Sequence, residues 1–469
     1  MAVVAATETS RKRRARRKRS RTTLRPSRIG VDRVEADDAS SRFPRPGKTL
    51  AALTASALAL TGIAGSAGAD VPIQEAKAAA AFSYYREDNL SPGKFSTSAN
   101  AGSRERFEVF TTQFRFDLPL TERMDVGVDF IYEKMSGASP WYVLPDANNG
   151  KPLQVMSGAT IEDQRYELSA DVDYFIERGK NTGSAGFSKE NDYLSINFGV
   201  ARERGYNDRN TTITLAAAFA YDWLEPTDPG FSLARPSSGE KWSLDLSASL
   251  AQILSRASTM SLSVNYKHLD GYLGDPYKAI TQLGVPADID TILPDIRPDQ
   301  KDRVSLLARY RHHYERIAGS LHADYRFYSD DWGVTSHTVE VAWYQNFMEW
   351  LTITPSVRWY SQGKADFYDT VLPVGKIPKN HSSDYRLSPY GAVSYKIKAE
   401  VEFVDLWQFD APSWLQALGV TDGMDLIASV SYQRYYSDGA LSIVTVSESD
   451  EAPGLLRFRV FAFSLAGRF

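Results

Sequence analysis

WSLDLSASL at residues 242–250 and TMSLSVNYK at residues 259–267 alternate between apolar and polar residues at every position. In a β-strand successive side chains point to opposite faces, so the apolar residues of each segment would share one face. The same period-two pattern recurs at residues 321–328 and 351–360. Alternation of this kind predicts β-strands with one polar and one apolar face rather than amphipathic helices.

The alternating segments are long for a water-soluble protein. Many of them run for 10–15 residues, whereas strands of soluble proteins average about 5–6 residues. A tilted strand that crosses a membrane needs about 9–11 residues. The pattern predicts sixteen strands, near residues 80–87, 104–118, 123–135, 161–174, 182–189, 191–203, 210–224, 239–253, 258–270, 301–313, 316–329, 334–347, 350–362, 384–397, 424–437 and 455–469.

The connections between these segments alternate between short and mostly long. Outer-membrane barrels have short periplasmic turns, long outer loops and both termini in the periplasm, which requires an even strand count. One connection on the short side, 398–423, is long, and its residues 412–418 look like a brief helix. The fold predicted for residues 70–469 is therefore all-β, a closed antiparallel transmembrane β-barrel of about 16 strands.

The overall composition is compatible with such a barrel. Of the 469 residues 43% are hydrophobic and 12% aromatic, yet the mean hydropathy is −0.35. Lipid-facing and lumen-facing residues alternate along a barrel strand, so their hydropathies average out. The chain contains no cysteine, which excludes disulfides, thiolate metal sites and cysteine nucleophiles.

The N-terminus has the features of an export signal. Residues 1–48 carry 15 Lys and Arg against 5 Asp and Glu, whereas residues 49–69 are uncharged and lead into SAGAD at 66–70. A basic arm could bind nucleic acid, and a single anchoring helix is a second alternative. A basic region, an apolar segment and small residues at the cleavage site favour a secretory signal peptide. We therefore expect residues 1–69 to be a basic extension plus a cleaved signal peptide, with no nucleic-acid partner.

The C-terminus carries a second targeting feature. Phe461, Phe463, Leu465 and the terminal Phe469 share one face of the last predicted strand. This pattern resembles the signal that the outer-membrane barrel-insertion machinery recognises, although Gly467 departs from the bulkier residue usual there. We therefore expect the protein in the bacterial outer membrane, with membrane lipid and the insertion machinery as partners. An edge strand of a soluble sheet is the alternative.

Charged residues of both signs fall on the predicted inward faces. Opposite charges could simply pair in a polar lumen, or they could form a constriction that selects ions by charge. The candidates are Asp125, Asp129, Glu133, Asp245, Lys267, Arg309, Arg311, Asp324, Arg326, Glu340 and Arg358. Aromatic residues near strand ends suggest interfacial girdles, among them Trp223, Trp242, Trp343, Trp350 and Trp359.

Several short strings resemble a family of proteobacterial outer-membrane proteins known only as a domain of unknown function. They are YYRED at 84–88, SGASP at 136–140, SKENDY at 188–193, GYLGDPYK at 271–278 and DYRL at 384–387. The resemblance spans roughly residues 78–469. It implies a location and an architecture, but it supplies no substrate and no catalytic residue.

Three arrangements of residues could in principle carry chemistry, and we favour none of them. His381-Ser382-Ser383 has the His-x-Ser spacing of the outer-membrane phospholipase, but nucleophilic catalysis also needs a third, orienting group. His312 and His313 are adjacent and point to opposite faces, while Asp288, Asp290, Asp295 and Asp299 read better as a solvated loop than as a cation site.

We therefore expect no enzyme activity and no cofactor. The predicted function is a pore or binding barrel for a small hydrophilic solute. A structural or assembly role, with a periplasmic partner at residues 412–418, is the alternative, and an outer-membrane hydrolase ranks third.

Overall fold

Sixteen of the described strands close into one antiparallel barrel. The structure is a computed structural model that describes residues 72–96, 103–157, 161–226, 236–284, 291–408 and 423–469. In chain order its strands are β1 (Lys77–Glu87), β2 (Glu108–Thr121), β3 (Met124–Gly137), β4 (Pro140–Pro145), β5 (Pro152–Met156), β6 (Ile161–Ile176), β7 (Gly179–Lys189), β8 (Tyr193–Tyr206), β9 (Thr211–Leu224), β10 (Gly239–Ile253), β11 (Ser258–Gly271), β12 (Ala279–Gln282), β13 (Thr291–Pro294), β14 (Gln300–Tyr314), β15 (Gly319–Asp330), β16 (Thr335–Met348), β17 (Leu351–Gln362), β18 (Val371–Leu372), β19 (Tyr390–Gln408), β20 (Gly423–Asp438) and β21 (Arg457–Arg468).

The barrel follows chain order and closes between its first and last strands. β4, β5, β12, β13 and β18 lie outside it, and every other strand pairs with the barrel strands before and after it. β1 pairs with β21, which places Phe82 opposite Phe463. The predicted closed antiparallel barrel is thus confirmed.

Both predicted boundaries of one strand are wrong, because β19 ends at Gln408 and not at residue 397. Residues 384–397 were expected to form a strand, but the corresponding strand, β19, begins at Tyr390. The carboxylate of Asp384 accepts a hydrogen bond from the backbone N–H of Arg386 and caps a short 3-10 turn over Tyr385–Leu387. This local cap prevails over the alternating pattern, and Pro389 separates the turn from the strand.

The two faces of the barrel differ as the alternation predicts. On β10 and β11 the side chains of Leu246 and Leu262 are exposed on the outside, whereas Ser243 and Ser261 point inward and are buried. Exposed apolar side chains continue around the other strands. Contiguous apolar surface on this scale is foreign to a monomer in water, but it is what a barrel presents to lipid.

Aromatic residues mark both rims of this apolar surface. Trp223, Trp242 and Trp359 lie near the end with the long loops, and Trp343 and Trp350 lie near the end with the short turns. Trp350 and Trp359 are nine residues apart; at about 3.3 Å per residue and a tilt of about 40°, they are separated by about 23 Å along the barrel axis. This matches the apolar band of about 25 Å in membrane barrels.

The connections sort by length to the two ends. Residues 122–123, 177–178, 254–257 and 349–350 are short turns at one end, where β1 begins and β21 ends. Apart from residues 409–422, the long connections lie at the other end, as predicted, and that end also has two short connections at 190–192 and 331–334. The suggested helix at 412–418 lies outside the described residues, as do residues 1–71 with the predicted cleavage site.

The long loops pack together into a layer that we call the cap, formed by residues 138–157, 272–284, 291–299, 363–389 and 439–456. It contains the β4–β5 hairpin and a small sheet in which β12 lies between β13 and β18. Tyr368, Leu387 and Ala452 of the cap form one buried apolar cluster with Trp332 of the β15–β16 turn. The long loops therefore have a core of their own.

The last strand presents Phe461 and Phe463 outward, with 50% and 43% of their surface exposed. At Gly467 an added Cβ would lie 3.0 Å from Cζ of Phe469. The terminal ring thus occupies the space that a larger side chain at position 467 would need, which gives a physical reason for glycine there. In the described part of the chain, no helix is long and apolar enough to cross a membrane.

Candidate functional site

The eight principal charge candidates all lie on the inward face of the barrel. The register places Asp245 opposite Lys267 on β10 and β11. It also aligns Arg309, Asp324, Glu340 and Arg358 in one row across β14–β17. Arg311 and Arg326 are each two residues from this row, on β14 and β15, and so point the same way. The lumen therefore gathers these residues into two groups.

Asp245 and Lys267 form the first group and are buried, each with 3% of its surface exposed. Lys267 Nζ lies 3.8 Å from Asp245 Oδ2. A second pair of this kind, Lys241 and Asp222, lies nearby with the same separation of 3.8 Å. These charges compensate one another within a packed part of the wall.

The second group lies on β14–β17. Asp324 is shared by two guanidinium groups, because Arg309 Nε lies 3.6 Å from its Oδ2 and Arg311 also forms an ion pair with it. Arg326 and Arg358 point inward and yet are exposed. Exposure on the inward face means that solvent has room beside these two arginines.

Lys396 on β19 extends the second group and was not among the predicted candidates. It lies opposite Ser356, two residues along β17 from Arg358. The signal was present in the sequence, because Val393, Tyr395 and Ile397 alternate with polar neighbours.

We call the inward residues of β14–β17 and β19 the basic wall. Within the described chain, this wall contains eight cations and five carboxylates. The cations are Lys301, Arg303, Arg309, Arg311, Arg326, Arg358, Lys396 and Lys398, and the carboxylates are Asp324, Asp330, Glu340, Glu400 and Glu402.

We call the inward residues of β2, β3, β6 and β7 the acidic wall, and here the balance is reversed. The described carboxylates are Asp117, Asp125, Asp129, Glu133, Asp163, Glu167, Asp171 and Asp173, against Arg115, Arg165 and Lys180. Asp125, Asp129 and Glu133, expected to face inward, belong to this wall.

Single arginines are shared among several carboxylates on the acidic wall. Arg115 lies 2.7 Å from Asp117 and 3.4 Å from Asp171, and it also pairs with Asp129. Arg165 lies 2.6 Å from Glu133. This is the reverse of Asp324, where two cations share one carboxylate.

The two walls face each other. β3 and β15 are eight strands apart in the ring of sixteen described barrel strands, as are β6 and β16, so each pair lies diametrically opposite. Between the walls, β8 and β9 present small inward residues, with Gly199 opposite Ala218 and Ala201 opposite Ala216. Small side chains there leave space between a positive and a negative surface.

Buried charges also join the loops of the cap. Arg386 Nε donates to Asp384 Oδ2 at 2.7 Å, and the same guanidinium pairs with Asp275. Arg297 Nη2 donates to Asp384 at 2.9 Å. Burial opposes ionisation of Asp384, but Arg386, Lys278 and Arg297 together hold the pKa of this carboxyl well below its ordinary value.

Lys278 lies at the centre of these contacts. Burial lowers the pKa of its ammonium to about 8, although Asp384 and Asp275 act in the opposite direction. Lys278 donates to the carbonyl of Pro140, and Thr281 Oγ1 donates to the carbonyl of Val143 at 2.6 Å. The loop after β11 thus meets the loop after β3, six strands away in the ring of barrel strands that the structure describes. These contacts must cross the mouth of the barrel.

Four of the five strings that carried the family resemblance meet at this cap. Lys278 of GYLGDPYK contacts Pro140 of SGASP, and Tyr277 donates to Asp192 of SKENDY. Arg386 of DYRL pairs with Asp275 of GYLGDPYK. The sequence alone indicated no role for these strings. In the structure, their contacts hold the outer loops together.

The cap encloses a cleft of about 480 Å³ beside Tyr272, Leu273 and Arg297. Several of the charges near it already bind within the protein, because Arg297 Nε donates to Asp295 Oδ1 at 2.8 Å and Arg386 pairs with Asp275. The cleft therefore offers a ligand mainly apolar surface.

The His-x-Ser string does not bring its histidine to its serine. Ser383 Oγ donates to the carbonyl of Ala279 at 2.7 Å. The two ring nitrogens of His381 lie 2.9 and 3.2 Å from the carbonyl oxygens of Pro378 and Pro294. These residues form hydrogen bonds within the cap. The His-x-Ser string therefore does not support the hydrolase alternative.

The loop aspartates do not assemble as a cation site in the described chain. Asp288 and Asp290 lie outside the described residues, and Asp295 binds Arg297 and Ser382. Elsewhere, Asp163, Glu190 and Asp192 have carboxylate oxygens within 4.8 Å of one another, an arrangement that suits a hard divalent cation. Sequence reasoning missed this cluster, because Glu190 and Asp192 lie in the turn between β7 and β8, whereas Asp163 lies near the start of β6.

His312 and His313 point to opposite faces of β14, as expected. His312 lies on the outside between Tyr310 and Tyr314, with ring centroids 6.2 and 4.4 Å away. His313 Nδ1 lies 2.9 Å from Ser320 Oγ on the inward face. The two rings therefore belong to different environments and share no ligand.

A closed antiparallel barrel with an apolar outer face, aromatic rims, a polar lumen and long loops at one end has the architecture of an outer-membrane β-barrel protein. A model of the family described as Protein of unknown function (DUF3570) matches residues 50–415. The chain belongs to this family, which confirms the predicted family resemblance. A search of curated proteins gives no match.

Solved barrels resemble the structure at low sequence identity. The siderophore receptor PirA from Pseudomonas aeruginosa is 10% identical over 84% of this chain and 80% of its own, with a TM-score of 0.36. A BenF-like porin from Pseudomonas fluorescens Pf-5 is 11% identical over 84% of this chain and 98% of its own, with a TM-score of 0.37. OccK3 (OpdO) from Pseudomonas aeruginosa is 9% identical over 84% and 94%, with a TM-score of 0.37.

Proposed function

We propose that this protein resides in the outer membrane and forms a water-filled barrel that passes or binds a small hydrophilic solute. The observation that carries the proposal is the exposure of Arg326 and Arg358 on the inward face. Ionised side chains without water or a counter-ion are strongly disfavoured, so a lumen wall with these two arginines requires water. Lipid covers the outer face, and the insertion machinery would recognise the C-terminal strand.

The cap favours a second candidate function. Its loops meet across the mouth through Lys278 and Pro140, which would restrict passage through the outer end of the barrel. A barrel closed in this way could serve as a structural or assembly partner in the envelope. The two functions therefore differ in whether the lumen is open to solutes, which a conductance measurement can test.

Single-channel recording on the refolded mature chain tests the proposal. We expect a small but measurable conductance in the unmodified protein and a larger one in Arg386→Ala, because this variant removes the guanidinium that joins Asp384 to Asp275. Lys376→Ala, a change at an exposed cap residue, should leave conductance unchanged. Silence in all three proteins would exclude a pore and favour the structural role.

A further inference from the structure

The basic wall concentrates its positive charge in one zone. Three adjacent rows of paired residues across β14–β17 and β19, which we call register levels, contain Arg326, Arg358 and Lys396. The inward positions of these described levels include five cations and two carboxylates, namely Arg309, Arg311, Arg326, Arg358 and Lys396 against Asp324 and Glu340. The remaining inward side chains of these levels are uncharged apart from His322, whose charge depends on protonation, so the zone has a clear excess of positive charge.

The excess is not cancelled by ion pairing. Both Arg309 and Arg311 pair with Asp324. In the part of the chain that the structure describes, Arg326, Arg358 and Lys396 have no carboxylate oxygen within 4.0 Å. Glu340 lies opposite Arg358 in the register, and even a full pairing with it would leave two cations over.

The spacing of these cations suits one ligand. Arg326 on β15 and Arg358 on β17 flank β16. Their Cα atoms are about 12 Å apart, because two strand spacings of about 4.8 Å combine with a register offset of two residues of about 3.3 Å each. Both side chains point into the same aqueous space, and Thr338 and Ser394 offer hydroxyl groups beside them. A guanidinium is a planar fork of donors that matches the oxygens of carboxylate and phosphate groups.

We infer that Arg326, Arg358 and Lys396 form a binding site for the oxyanion group, carboxylate or phosphate, of a small solute in the lumen. The inference rests on the proposed function, because it needs the water-filled lumen. It adds the class of solute, and the opposite acidic wall adds a preference for a solute whose other end is neutral or cationic.

Calorimetric titration of the refolded mature chain in detergent tests the site without requiring conduction. The probes are inorganic phosphate and succinate at low ionic strength, where screening is weak. We expect at least one of them to bind, and we expect binding to weaken at least tenfold in Arg326→Ser with Arg358→Ser. The probe that binds more tightly identifies the chemistry of the solute.

Two further variants control this comparison. Lys376→Ser with Lys379→Ser removes the same charge from exposed positions of the cap and should bind as the unmodified protein does. Lys396→Gln should weaken binding severalfold, and it keeps the site testable if the double arginine variant does not fold. Heat-modifiable mobility, the difference in gel migration between unheated and heated samples, would show whether each variant is folded.

The outcomes separate this inference from the proposed function. Binding of neither probe, or binding that survives both the double arginine variant and Lys396→Gln, overturns the site even if the barrel conducts. Anion binding that is lost in these variants supports the site, and it does so even if bilayer recordings are silent and the pore itself is excluded. In a conducting barrel, the double variant should also shift the reversal potential toward cation selectivity.

Discussion

The ammonium group of Lys278 donates a hydrogen bond to the backbone carbonyl of Pro140, 138 residues away in the chain. The two residues belong to loops from well-separated parts of the barrel rim, so this contact ties the cap across the mouth. The donor is buried, and its protonation state therefore affects the stability of the cap.

Stability of the cap should rise with pH through the range set by Lys278. Its pKa is about 8 in the folded protein and about 10.4 when unfolded. Between these values the unfolded state binds more protons, so the free energy of cap opening should rise with pH, by up to about 3 kcal/mol. Protection factors of cap amides in hydrogen exchange, measured from pH 7.5 to 9.5, should show this rise. In Lys278→Met the rise should disappear, and an unchanged slope would contradict this role for Lys278.

Arg386→Ala should open the cap and leave the barrel intact. The change removes the guanidinium that pairs with both Asp275 and Asp384, leaving Asp384 with Arg297, and should destabilise the cap by up to about 3–5 kcal/mol. We expect rapid proteolysis within residues 363–389, while the barrel keeps its heat-modified mobility on gels. Lys376→Ala is the matched control and should resist protease as the unmodified protein does. Resistance of Arg386→Ala would show that the apolar clusters alone hold the cap.

The cap end should face the outside of the cell. The chain has no cysteine, so Thr291→Cys in the cap and Arg256→Cys in a short turn would each carry a unique label site. A membrane-impermeant maleimide should label Thr291→Cys on intact cells and Arg256→Cys only after permeabilisation. The reverse pattern would invert the topology.

Phe469→Asp should impair insertion and leave the chain in the periplasm. The reason is the resemblance of the terminal aromatic and the apolar face behind it to the insertion signal. Phe347→Asp is a control, because Phe347 is also an exposed aromatic near the short-turn end, with 62% of its surface exposed. Normal outer-membrane levels of Phe469→Asp would count against a recognition role.

The mature chain should begin at Asp70. An uncharged segment followed by small residues is the pattern that a signal peptidase cleaves. N-terminal sequencing of protein extracted from membranes would locate the cut, and Ala67→Arg with Ala69→Arg should block it. A retained basic N-terminus in the unmodified protein would show that the signal interpretation is wrong.

Sequence alone predicted the barrel well, because each strand carries its own period-two pattern and strand count follows from adding them. It could not predict the cap, whose contacts join residues far apart without any periodicity, such as Arg386 and Asp275, 111 residues apart. Each inward charge could be predicted from the alternation of its own strand, but the excess of cations over carboxylates on the basic wall could not. Whether Arg326 and Arg358 have partners depends on register and side-chain direction across four strands.

Pairing of β1 with β21 has a consequence for the biogenesis of the protein. Phe82 and Phe463 become neighbours, although almost the whole of the barrel sequence separates them. Until the last strand arrives, the sheet has two free edges that can pair with other chains, and contacts of such long range form slowly. The chain must therefore be kept apart from its neighbours until the last strand has paired, and a fragment shortened at either end would keep a free edge that can aggregate rather than form a smaller barrel.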